Sequence, residues 1–144
     1  MNKPEAGVYA KVNKSLKPCP IKLKRVENSM DTGTPDVYYY SANNEGWIEF
    51  KYIKSFPKRI DTLITIPFRP GQYAWLISRY NLNNSTSGFL LIQIEDVIFL
   101  FKNSLIQEKY TRAELLDRCD FMINIKSKGL STCLFNALNS LNRP

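Results

Sequence analysis

The run Trp47-Ile48-Glu49-Phe50-Lys51-Tyr52-Ile53 constrains the fold more than any other stretch of the chain. Its β-branched and aromatic residues read as a strand, and strand side chains alternate between two faces. Ile48, Phe50 and Tyr52 therefore share one face, and Trp47, Glu49, Lys51 and Ile53 share the other. One face is core, while the other sets an acid beside a base. Upstream, Asp36-Val37-Tyr38-Tyr39-Tyr40 is a second β-rich run, joined to the first by Ser41-Ala-Asn-Asn-Glu-Gly46. Asn43, Asn44 and Gly46 are turn formers, so the pair reads as a hairpin. Asp36, which follows a Gly33-Thr-Pro35 turn, comes close to Glu49 if that hairpin is asymmetric or bulged.

The other elements follow from periodicity and punctuation. Residues 4–16 read as a helix opened by Pro4 and closed by Pro18, with Glu5, Tyr9, Val12 and Leu16 on a single face. "IKLKRVEN" alternates Ile21, Leu23 and Arg25 against Lys22, Lys24 and Val26, a half-buried strand, and "SMDTGTP" is a loop. Residues 55–70 form a long connection with prolines and an apolar "LITI". "GQYAWLISRY" starts a helix after Pro70, with Gln72, Trp75, Leu76 and Arg79 on one face. "SGFLLIQI" and "VIFLFK" are strands turned at Glu95-Asp96. Thr111 and Glu114 form a capping box opening a helix over "TRAELLDRCDFMI", and "KGLSTCLFNALNSL" is a last helix. The order α, β, β, β, α, β, β, α, α describes an α/β or α+β fold, a mixed sheet flanked by helices. At 144 residues the chain reads as a single domain over 1–144, with a core about 4–102 and a C-terminal helical extension about 111–142.

Composition narrows the chemistry. The chain has no histidine, which excludes Ser-His-Asp and Cys-His mechanisms and histidine-based zinc sites. Catalysis must then come from carboxylates, lysine, tyrosine or a metal ion. Three cysteines without a CxxC pair fit a reducing compartment, and the first residues lack an apolar secretory segment. No apolar stretch approaches the roughly 20 residues of a membrane span. A cytoplasmic protein is expected. The net charge of +7 is uneven: residues 1–30 carry seven basic side chains against two acids, and residues 47–79 carry six against two. A polyanionic partner explains that asymmetry, and ordinary solubilising charge explains it equally well.

Two carboxylates brought together repel, and a hard divalent cation relieves the repulsion. Magnesium would use Asp36, Glu49 and the main-chain carbonyl of Phe50, leaving positions for water and a phosphate oxygen. Such an ion neutralises phosphate charge and activates a bound water. Lys51, on the same sheet edge, would stabilise developing negative charge or hold that water. The alternative is a cross-strand charge pattern on a solvated face, with Asp36 a turn residue.

"GTPDVYYYSANNEGWIEFKYIK" followed by "RPGQYAWL" resembles the PD-(D/E)xK nuclease superfamily, and within it the small VRR-NUC-like and Holliday-junction-resolvase-like proteins of phages. Gly33, Pro35, Asp36, Trp47, Glu49, Lys51, Gln72 and Trp75 stand in family order, and the resemblance spans roughly residues 5–95. It implies a restriction-endonuclease-like αβββαβ core with extra C-terminal helices, and cleavage of DNA with magnesium, for which manganese substitutes. It also implies metal ligation by Asp36 and Glu49, a catalytic Lys51, and a Gln72 that reaches the site from the next helix. Glu5 would match a further acid of the first helix; as a plain helix-start acid it would serve the macrodipole. Arg25, Lys54, Lys58, Arg59 and Arg69 are the expected phosphate contacts.

The expected function is structure-selective cleavage of branched DNA such as Holliday junctions by a homodimer, the dimer being implied by the resemblance, in a host cytoplasm if phage-encoded. A nickase, flap or restriction-type nuclease would share the centre. A non-catalytic DNA-binding module of the same fold, and an interaction protein whose basic surface is incidental, are the readings from other classes.

Overall fold

The computed structural model describes residues 1–26, 33–83 and 88–140, with residues 79–83 as backbone only. The end of the first strand segment at Glu27-Asn28, residues 29–32 of the loop, the Arg79 side chain and the last residues of the terminal helix therefore lie outside the described residues. Helix α1 spans Lys3–Leu16, β1 Ile21–Arg25, β2 Val37–Ser41, β3 Glu45–Ile53, β4 Ile64–Thr65 and α2 Gln72–Asn83. After these come β5 Gly88–Ile94, β6 Val97–Lys102, a 3-10 turn Asn103–Leu105, β7 Lys109–Tyr110, α3 Arg112–Arg118, β8 Phe121–Asn124 and α4 Leu130–Asn139.

Six strands form one sheet in the order β1-β2-β3-β5-β6-β8, and β4 pairs with β7 in a separate two-stranded sheet. All main-sheet neighbours are antiparallel except β3 and β5, which run parallel across the connection that carries α2. The fold is thus a mixed sheet flanked by helices, and apart from β4, which joins the separate small sheet, its leading elements α1-β1-β2-β3-α2-β5 follow the expected αβββαβ order. One core cluster joins α1 and α4 to Val37, Tyr39, Ile48, Phe50, Phe89 and Leu91. A second joins α2, α3 and the small sheet to Leu90, Ile92, Ile94, Phe99 and Phe101. Among the described residues, no helix is long and apolar enough to cross a membrane. Cys19, Cys119 and Cys133 are unpaired thiols.

Three expectations need correction. First, β3 is not a sheet edge but the third of six strands. A parallel crossover places β5 on its far side, and local alternation carries no sign of that. Second, residues 111–142 are not helical throughout. The capping box holds, with Thr111 accepting from the Glu114 amide at 3.1 Å, but α3 stops at Arg118 and Phe121–Asn124 adds the sixth strand. The amide of Asp120 donates to the Leu100 carbonyl and its carboxylate accepts from the Lys102 amide, which swings the chain onto the β6 edge. Third, the hairpin needs no bulge. Its register pairs Val37 with Ile48 and Tyr40 with Glu45, so the regular continuation puts Asp36 opposite Glu49.

Candidate active site

Where β2 stops, β3 goes on. Residues 50–53 lie beyond Val37, the first β2 residue, and among the described residues pair only with β5, with Lys51 opposite Ile92. The N-terminal end of α1 and the turn before α2 fill the space that β2 vacates. Asn2 caps α1 by accepting the Glu5 amide at 2.9 Å, and Glu5 returns the bond by accepting the Asn2 amide at 3.1 Å. That box fixes the Glu5 side chain at the helix start, facing Lys51. Glu5 is therefore both a capping acid and a member of the cluster.

Gly71 supplies the other wall. Its φ of +87° is left-handed, and a Cβ there would stand 3.3 Å from the Gly33 Cα. Two glycines at this crossing let the turn before α2 press against the loop that delivers Asp36. Behind them Trp47 meets Trp75 edge to face at 5.7 Å, holding α2 to β3.

Lys51 sits at the centre of the cluster. Its ammonium lies 3.4 Å from Glu49 Oε1, 3.6 Å from Glu5 Oε1 and 6.0 Å from the centre of the Phe68 ring. Gln72 donates through Nε2 to the same Glu49 Oε1 at 3.0 Å, and its own Oε1 accepts the Arg69 amide at 2.8 Å. Arg69 reaches Glu5 Oε2 at 3.7 Å. Glu49 and Lys51 are fully buried, and Glu5 and Gln72 are 2% exposed. The alternative of charges on a solvated face is thereby excluded. Asp36 and Arg69 are the more exposed members, 18% and 47% by side chain.

Two carboxylate oxygens remain without a hydrogen bond: Glu49 Oε2 and Asp36 Oδ2, both buried, the latter 3.9 Å from the Met1 ammonium. Burial raises the Glu49 carboxyl to about 7; Lys51 pulls it down, and Asp36 and Glu5 push it further up. Orphaned anionic oxygens on neighbouring strands fit a hard cation, which takes oxygen ligands and keeps water. Among the described residues no group of three or more histidine, cysteine or acidic side chains gathers to hold an ion. The side-chain donors are thus Asp36 and Glu49, with Glu5 engaged by Lys51 and Arg69. The side chain of Phe50 packs in the core, leaving only its carbonyl for the site.

The expected phosphate contacts scatter. Only Arg69 joins the cluster. Arg25 lies over the Tyr9 ring at 5.9 Å, and Lys54 borders a groove with Pro4, Lys11 and Tyr52 on the opposite face of β3. Lys58 and Arg59 stand exposed on the connection to β4, Arg59 beside Asp61. Missing from the expected set were Lys22 and Lys24, whose alternation with Ile21 and Leu23 places them on the carboxylate side of the sheet.

No protein-family profile matches the chain, and no curated protein matches it in sequence. Among solved structures, the fold is similar to Hjc of Archaeoglobus fulgidus, a Holliday junction resolvase from an archaeal hyperthermophile. The TM-score is 0.53 and the identity 10%, over 78% of this chain and 88% of that one. The fold, a mixed sheet flanked by helices, is therefore restriction-endonuclease-like.

Proposed function

We propose that the protein is a magnesium-dependent, structure-selective endodeoxyribonuclease that hydrolyses phosphodiester bonds in branched DNA such as Holliday junctions. One observation carries this reading. Asp36, Glu49, Lys51, Gln72 and Glu5, drawn from four separate segments, converge on one buried cluster that leaves two carboxylate oxygens unsatisfied. Asp36, Glu49 and the Phe50 carbonyl would hold the ion, with manganese able to substitute; bound there, it supplies charge neutralisation and an activated water. Gln72 and Lys51 both engage Glu49 Oε1, which turns Oε2 toward the ligand side. Lys51 offers positive charge to the phosphate, and Glu5, itself paired with Arg69, holds Lys51 in place.

The resolvase likeness supports the choice of DNA as substrate and of a homodimer as the working form. Arg25, Lys54, Lys58, Arg59 and Arg69 supply backbone contacts in this reading. Nickase, flap and restriction-type activities use the same centre and are separated by substrate. The test uses labelled four-way junction, flap, duplex and single-stranded DNA, with and without magnesium. Metal-dependent cleavage that favours the junction supports the proposal, and no cleavage of any substrate overturns it.

A further inference from the structure

The sheet face that carries the two carboxylates does not end at them. Residues opposite one another in an antiparallel ladder share a face. The registers therefore build rows outward from Asp36 and Glu49: first Lys24, Tyr38 and Trp47, then Lys22, Tyr40 and Glu45. Rows two residues apart along a strand are spaced by roughly 7 Å. Lys22 and Lys24 are exposed, Tyr40 is 48% exposed, and Tyr38 and Trp47 are half-buried. Tyr39, on the reverse face, is fully buried in the core, as a strand tyrosine ordinarily is. Tyr40 has no such explanation.

The aromatic rings touch in series. Tyr40 and Tyr38 lie 6.0 Å apart, Tyr38 and Trp47 5.5 Å, and Trp47 and Trp75 5.7 Å. On the β1 side of this stripe lie two lysines, and on the other the Glu45 carboxylate accepts the Tyr38 hydroxyl at 2.8 Å. Phosphates are thus drawn to the β1 side and repelled from the β3 side, which leaves the rings to bases. Base stacking on aromatic side chains beside a basic track is how proteins hold single strands.

We infer that this face binds an unpaired DNA strand, with bases on Tyr40 and Tyr38 and phosphates on Lys22 and Lys24, and feeds it toward Asp36 and Glu49. The direction of feeding rests on the nuclease reading; the binding does not. The substrate is then a branched or frayed DNA whose strand is unstacked beside the cut.

The chain's two tryptophans are Trp47 and Trp75, so intrinsic emission reports on the stripe directly. Metal-free protein in chelator is titrated with single-stranded oligo-dT and with blunt dA·dT duplex. Oligo-dT is expected to quench the emission and to bind more tightly than the duplex. Tyr40→Ala weakens oligo-dT binding about tenfold, and Tyr40→Phe restores it. The exposed pair Lys22→Ala with Lys24→Ala lowers the salt slope by about 1.4. Unchanged emission with oligo-dT, or wild-type binding by Tyr40→Ala and the lysine pair, overturns the inference. A protein that cuts junctions but shows no response to oligo-dT defeats this inference alone, and quenching without cleavage defeats the nuclease reading alone.

Discussion

Strands β3 and β5 lie side by side, parallel, and both are buried where they meet. Every residue of β5 is buried, and those that face Glu49 and Lys51 are Leu90 and Ile92. At matched depth one strand therefore carries hydrocarbon and the other ions. A buried leucine or isoleucine contributes about 1.5 to 3 kcal/mol, whereas a buried ion pair often does no better than apolar residues of the same volume. The difference teaches that β5 secures the sheet and β3 uses the dry interior for charge. Low dielectric and displaced water are what make a lysine or carboxylate potent toward a phosphate.

The comparison breaks most visibly at Asp36. Asp36→Asn removes the charge of a proposed ligand without altering volume, and in the proposed nuclease cleavage of the junction should fall by about a thousandfold with junction binding kept. Normal cutting by this variant, measured as single-turnover rate, would place the site elsewhere. Next comes Ile92→Ala, on the partner strand. It should cost about 3 to 4 kcal/mol in denaturant unfolding while leaving the rate per folded molecule near wild type. A large loss of rate with little loss of stability would mean that β5 is not the passive member of the pair.

Much of this arrangement was legible in local pattern. The α1 stripe, both hairpins, the α3 capping box and the acid-base pair on one strand face all follow from spacing over a few residues. The misses share one cause, which is pairing between distant segments. Phe121–Asn124 is four residues long, too short for periodicity to separate strand from helix, and only the β6 edge decides it. Ile64–Thr65 becomes a strand because Lys109–Tyr110 lies against it. The burial of Glu49 and Lys51 likewise depends on the crossover that brings in β5 and on the α1 start that closes over the end of β2. Pattern named Asp36, Glu49 and Lys51, and the family resemblance added Gln72 and Glu5; their depth came from topology.

Depth has a pH signature. The Glu49 carboxyl has its ordinary value of 4.5 when the chain is unfolded and about 7 when folded, so the folded state favours the protonated acid. A raised carboxyl contributes stability that is complete below pH 4.5 and is lost as pH rises through 7. Metal-free protein should therefore lose about 3 kcal/mol from this group across that window. Glu49→Gln should remove that part of the slope, read as the difference between the two unfolding curves. At the proposed site magnesium would bind the folded chain alone, so it should restore stability at pH 8 to the wild type and not to the variant. Parallel curves would show that Glu49 titrates as an ordinary surface acid.

The smallest effect sharpens the comparison within the site. Gln72→Ala deletes the amide that holds Glu49 Oε1 at 3.0 Å and should cost about 1 kcal/mol of stability. If Gln72 orients the carboxylate, its loss frees Oε1 to swing, and the magnesium needed for half-maximal cleavage should rise several-fold while the rate at saturating magnesium changes less. Second-sphere partners of metal ligands act in this way, through ligand orientation. A fall in saturated rate with unchanged magnesium requirement would instead put Gln72 in contact with the reacting phosphate, and the α2 turn would then belong to the chemistry as directly as β3.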